Sequence, residues 1–195
     1  MSILIKSAKI TDAMSKFNGK TLDILIFKGK IKEINENISN SKAKEIITKK
    51  NLHISPGWFD SSVCFGEPGL EDRETLLNGA NTAACSGFTD IILNPVTDPY
   101  LDTKADINYI KSKCSEFTSK IHPLGCLTKE CKSEKLADIF EMYQSGAVGF
   151  YDFKNPVNNP NLLKIALQYV QSFDGLVFSF PFEKSICPNG QMHEG

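Results

Sequence analysis

From about residue 53 onward the chain alternates apolar, strand-like runs with segments of helical spacing, and this rhythm does most to limit its fold. Trp58–Phe65, Thr89–Leu93, Ile121–Leu127, Ala147–Tyr151 and Leu176–Phe180 read as strands. Arg73–Ser86, Thr103–Phe117, Glu134–Gln144 and Pro160–Phe173 read as the helices between them. In the first helix Leu76, Leu77, Ala80, Ala83 and Ala84 form one stripe, and Gly87 stands where a C-terminal cap belongs. Gly146 stops the third helix. Alternation at this spacing predicts a parallel sheet of βαβ units. An open doubly wound sheet and part of a (β/α)8 barrel both fit it.

Residues 1–52 have a different texture. Ile3-Leu4-Ile5, Asp23–Phe27 and Ile31–Ile34 read as short strands, with turn signals at Asn18-Gly19 and Lys28-Gly29-Lys30. We therefore expect a small β unit over 1–52 and an α/β unit over 53–195. A complete barrel takes ~250 residues, so the second unit is expected to be a partial one that stops after its fifth strand.

The charge pattern narrows the function classes. Twenty-two basic and 23 acidic residues leave a net charge of -1, which argues against nucleic acid or an anionic membrane surface as partner. Lys42, Lys44, Lys49 and Lys50 read as a solvated face. Only Arg73 is an arginine, so one side chain alone offers the planar fork that clamps carboxylates. No apolar run approaches the ~18 residues of a membrane span, and the start lacks the long apolar stretch of a secretory signal. The cytoplasm is the expected compartment. There the cysteines at 64, 85, 114, 126, 131 and 187 are expected to be free thiols. Cys126 and Cys131 have no companion Cys/His pair, so no structural zinc is expected on them.

The most informative stretch runs from Ser55 to Gly69. Pro56-Gly57, Asp60, Phe65 and Glu67-Pro68-Gly69 frame it. Together they resemble the first barrel strand of the dihydroorotase branch of the cyclic amidohydrolases, P-G-F/L-I-D-x-H-x-H-F-R-E-P-G. Gly87-Phe88-Thr89 and Asn94-Pro95-Val96-Thr97-Asp98-Pro99 are similar to that family's G-G-F/I-T and M-P-N-T-N-P. Gly146 to Asp152 is similar to G-A-x-x-F-S/T-D, and Gly190 to Gly195 to G-x-x-N-E-G. Ile3 to Ile10 resembles the strand that opens the family's β-sandwich. The resemblance covers the whole chain in order. It implies a TIM-barrel (β/α)8-type fold, seen in its first five strands and preceded by a small β-sandwich portion. It also implies a hydrolase of cyclic amides in pyrimidine (UMP) biosynthesis, with zinc as cofactor.

The departures fall on the chemistry. On a strand Asp60, Ser62 and Cys64 share one face. The resemblance implies metal-binding histidines at the second and third of these, but the chain has Ser62 and Cys64. Where the family's arginine holds the substrate carboxylate, the chain has Gly66; where its asparagine touches substrate, Val96. No histidine occurs in Val177–Glu183, the stretch matching the fifth strand. Asp152 matches the carboxylate beside the metal. Phe178, Phe180 and Phe182 make that face more apolar than the family's.

Amide hydrolysis needs a metal to activate water and polarise the carbonyl. We therefore expect a non-catalytic member, with no catalytic residues, no cofactor, and Asp152 and Cys64 as the remaining metal candidates. The alternative is an active dihydroorotase, or a related cyclic-amide hydrolase, with an altered zinc site. A third possibility is a fragment without separate function. Asp152 is read as a relic or general base, or as a strand-end cap. Cys64 is read as a nucleophile or a small filler. His53 and His122 are read as satisfied or solvated, and His193 carries a functional flag. The resemblance implies assembly with aspartate carbamoyltransferase or with an active dihydroorotase-like chain, and an oligomer is expected.

Overall fold

The computed structural model describes residues 2–183 and 186, and it divides into two compact units, 1–57 and 58 onward. His193, Cys187 and the Gly190–Gly195 motif lie outside the described residues.

The first unit is a five-stranded sheet. Its strands are β1 (Ser2–Ile10), β2 (Thr21–Phe27), β3 (Lys30–Asn35), β4 (Glu45–Ile47) and β5 (His53–Ile54). The order is β3-β2-β1-β4, with β5 also on β1. The hairpin pairs are antiparallel, while β4 and β5 run parallel to β1. The last two strands are too short for the period-2 signal to register. Because Lys9 and Ile10 pair with His53 and Ile54, this unit extends to Gly57, past the expected end at 52. Leu22 to Leu25 are all buried in β2, so polar/apolar alternation is lost there. Asp23 is tolerated in that position because it pairs with Lys6 and accepts the Ser7 and Ile38 N–H groups. Burial raises the Asp23 pKa, but these partners outweigh it and hold the carboxyl below its ordinary value.

The second unit carries β6 (Trp58–Val63), β7 (Phe88–Leu93) and β8 (Lys120–Pro123) in one parallel sheet, in that order. Helices α1 (Leu76–Cys85) and α2 (Lys104–Lys113) form the crossovers, and α3 (Ile139–Gln144) and α4 (Pro160–Val170) follow. Leu76, Ala80, Ile91, Leu93, Ile107, Ile110, Met142 and Phe150 lie in its core. Thr75 caps α1 through the Asn78 N–H, and Thr103 with Asp106 forms a capping box on α2. Helix α1 therefore starts three residues later than expected. Gly87 and Gly146 hold positive φ after α1 and α3, as their places in the sequence predict.

Four expected elements are corrected. The fourth and fifth strands are single parallel bridges, Gly125 to Phe150 and Phe150 to Val177. Hydrogen bonds continue the sheet through them, but the runs are too short to build ladders. The third strand stops at Pro123 instead of Leu127, because the Cys126 N–H turns away to the Leu101 carbonyl. Helix α3 starts at Ile139 instead of Glu134, because Leu136 pairs with Thr128 and the Ala137 N–H with the Leu127 carbonyl. Among the described residues the sheet does not close on itself. No described helix is long and apolar enough to cross a membrane.

Candidate functional site at the strand ends

Strand β6 delivers Ser62 and Cys64 to the C-terminal end of the sheet, where α/β proteins place their chemistry. The register of β6 on β7 shifts between Asp60 and Val63, so strict alternation breaks just before the site. Asp60 turns back locally, its Oδ1 accepting the Ser62 N–H at 3.0 Å. The residue that joins Ser62 to Cys64 is Asn94, at the end of β7. Its Nδ2 donates to Ser62 Oγ at 3.0 Å, to the Val63 carbonyl at 3.0 Å and to Cys64 Sγ at 3.5 Å.

Asn94 is buried, and its Oδ1 has no hydrogen-bond partner among the described residues. Leaving such an acceptor unpaired costs about 1–3 kcal/mol. Sequence reasoning passed over Asn94. The available signal was its place: it stands where M-P-N-T-N-P begins with an apolar methionine.

Gly66 sits in a tight turn, with its N–H on the Glu74 carbonyl and its own carbonyl accepting the Leu70 N–H. A Cβ there would overlap the Leu70 carbonyl oxygen. No arginine fits this turn. Val96 is half-buried in the loop after β7. Beside them Glu67 is buried; it pairs with Lys113 and accepts the Leu76 N–H, which opens α1. Burial raises the Glu67 pKa, but Lys113, the Leu76 N–H and the Tyr109 hydroxyl hold it below its ordinary value.

Asp152 is not directed at Ser62 and Cys64. Its Oδ1 accepts the Leu127 and Thr128 N–H groups, both at 2.9 Å, and its Oδ2 accepts the Thr128 hydroxyl at 2.5 Å. Burial pushes this carboxyl above its ordinary value, against hydrogen bonds from Thr128, Leu127 and Cys131. The donors that meet it are Cys126 and Cys131, whose sulfurs lie 3.2 Å apart. Ligand atoms of these three buried residues all lie within 4.8 Å of one another. No other cluster of three such donors occurs among the described residues. The expectation for the cysteine pair considered only Cys and His as companions; the third donor is a carboxylate, supplied from beyond the Phe150 bridge.

The histidines take separate places. His122 Nε2 meets Asp90 Oδ1 at 2.8 Å, and His53 is exposed on β5. Phe178 packs on Tyr151, with ring centroids 5.7 Å apart, and Phe180 on Phe182 at 6.0 Å. A zinc of the two-histidine kind does not fit the strand end as built. Ser62 offers a hydroxyl, which is a poor zinc donor, Cys64 stands in no three-donor cluster among the described residues, and Asp152 is turned to other partners.

Comparison with known proteins places this geometry. The family described as "Dihydro-orotase-like" matches residues 52–195. A dihydroorotase of Pelotomaculum thermopropionicum is 35% identical over 196 residues, covering 100% of this chain and 45% of that protein. One of Geotalea daltonii is 33% identical, covering 100% and 46%. The chain thus spans about half the length of the curated relatives it matches. Among solved structures, an L-hydantoinase (dihydropyrimidinase) from Arthrobacter aurescens superposes with a TM-score of 0.69 at 19% identity, covering 90% of this chain and 39% of that one. A dihydroorotase superposes with a TM-score of 0.62 at 13% identity, covering 90% and 50%. These two likenesses carry the fold, an α/β architecture that forms part of a barrel.

Proposed function

The chain belongs to the dihydroorotase-like family, and from that premise we propose that it is a non-catalytic member serving pyrimidine (UMP) biosynthesis as a binding partner. One observation carries this reading. The two side chains in the H-x-H positions are a hydroxyl and a thiol, and both are hydrogen-bonded to the Asn94 amide. Activating water and polarising a ring amide needs a metal with a full ligand set. Gly66 supports the same reading, since a carboxylate clamp has no room there. Under it the strand end requires no zinc. The partner is aspartate carbamoyltransferase or an active dihydroorotase-like chain.

The test is dihydroorotate hydrolysis by the purified chain, with and without added zinc, alone and mixed with each partner. The expected result is no turnover by the chain alone and co-elution with one partner on size exclusion. Zinc-dependent turnover abolished by Cys64→Ala would overturn the reading and establish the altered-metal hydrolase.

A further inference from the structure

The second cluster has a chemistry of its own. Cys126 follows the Gly125 bridge at the end of the third strand, and Cys131 ends the turn at Lys129–Cys131. That turn is held in an uncommon conformation: Glu130, Cys131 and Ser133 all have positive φ, between 52° and 60°. Such residues persist only where their surroundings fix them. Here the turn is fixed by the Ser133 N–H on the Thr128 hydroxyl at 2.9 Å and the Glu130 N–H on Asp102 at 2.9 Å. The outcome is that Cys131 Sγ is carried against Cys126 Sγ and beside the Asp152 carboxylate.

We propose that Cys126, Cys131 and Asp152 form a buried site for one thiophilic divalent cation of the zinc class. Two Zn–S bonds of about 2.3 Å, or one with a Zn–O bond of about 2.0–2.2 Å, span roughly 4.3–4.6 Å when opposed and less when tetrahedral. The ligand atoms of the three residues all lie within 4.8 Å of one another, and the two sulfurs, 3.2 Å apart, need to open by about half an ångström to reach the separation set by two Zn–S bonds of about 2.3 Å in a tetrahedral ion. Thiolate sulfur suits zinc and other soft ions, and an Asp oxygen completes a mixed S2O set. On binding, both S–H bonds break, two metal–sulfur bonds form, and two protons pass to solvent. Asp152 keeps its backbone N–H groups on Oδ1, which holds the carboxylate in place for the ion. The fourth position of a tetrahedral ion is left to an exchangeable ligand. The site shares no ligand with Ser62, Asn94 and Cys64, and it does not rest on the function proposed above.

The test is zinc content of the full chain, purified without chelator, by elemental mass spectrometry, followed by titration with cobalt(II) and reading of the thiolate-to-cobalt absorption. The expected result is about one ion per chain and a thiolate band. Cys131→Ser should weaken cobalt binding at least ~tenfold, and Cys126→Ala, the second variant, should abolish the band. Cys64→Ser should leave both readings unchanged. Three results would overturn the proposal. One is absence of zinc and cobalt uptake by the unaltered chain with both thiols reduced. Another is a band lost in Cys64→Ser and kept in Cys131→Ser. The third is a chain purified in air that is lighter by two hydrogen atoms, taken up by dissolved oxygen, with the mass loss mapped to a Cys126–Cys131 disulfide.

Discussion

Two polar clusters sit at the strand ends of the second unit, and they have opposite character. Around Asn94 the side chains are small, Ser62 and Cys64 are exposed, and a buried acceptor finds no partner among the described residues. Around Asp152 every named donor is buried, and the carboxylate accepts two backbone N–H groups and a hydroxyl. Position in the fold alone would assign the chemistry to the first cluster. Satisfaction of polar groups assigns the stability, and the convergence of ligand atoms, to the second.

The comparison can be broken most directly at Asp152. Asp152→Ala strips the partner from two buried N–H groups and should cost about 3 kcal/mol or more, since each unmet group costs about 1–3 kcal/mol. Urea unfolding read on the second unit checks this. A loss under about 1 kcal/mol would remove the contrast, because it is the value expected of an ordinary hydrogen bond. Next in size is the acid limb. The folded pKa of Glu67 lies below its unfolded value of about 4.3. Its stabilisation is therefore present above that unfolded value and is lost as pH falls through the lower, folded one. Glu67→Gln should flatten the dependence of the unfolding midpoint on pH between about 5 and 3. Asp23→Asn should do the same for the first unit, by the same sign.

The first cluster should respond weakly. Asn94→Met removes the unpaired Oδ1, and the Val63 carbonyl keeps the Asn94 backbone N–H at 2.9 Å as donor. Its effect should lie within about 1 kcal/mol of neutral, as when an apolar group of similar shape replaces a poorly paired polar one. Cys64→Ser, at an exposed position, should change the unfolding free energy by less than about 0.5 kcal/mol. If Asn94→Met costs as much as Asp152→Ala, the division drawn between the clusters fails.

The alternation of the second unit is legible in the sequence because α1 is long enough to show a 3.6-residue stripe and because glycines, Gly87 and Gly146, follow α1 and α3. It misled at Ala147–Tyr151 and Leu176–Phe180, where apolar runs make one bridge each. Apolar character reports burial there, and burial does not require a ladder. In the first unit β4 and β5 escaped notice because two or three residues carry no period. At the site, the identities of Ser62, Cys64, Gly66 and Val96 could be read, but not their partners. Asn94 meets Ser62 across neighbouring strands, and Asp152 meets the cysteines across a loop. Such juxtapositions depend on register and on a turn in left-handed backbone, neither of which residue spacing encodes.

The turn at Gly66 has a bearing on the history open to this chain. A lineage can gain a ligand by one base change when the backbone offers the space. Here it does not, since any side chain at position 66 strikes the Leu70 carbonyl. The loop from 66 to 75 would have to be rebuilt before an arginine was of use, and rebuilding it would disturb Glu67, which opens α1. The glycine thus holds the loop in a form that gives an anion clamp no footing at this position.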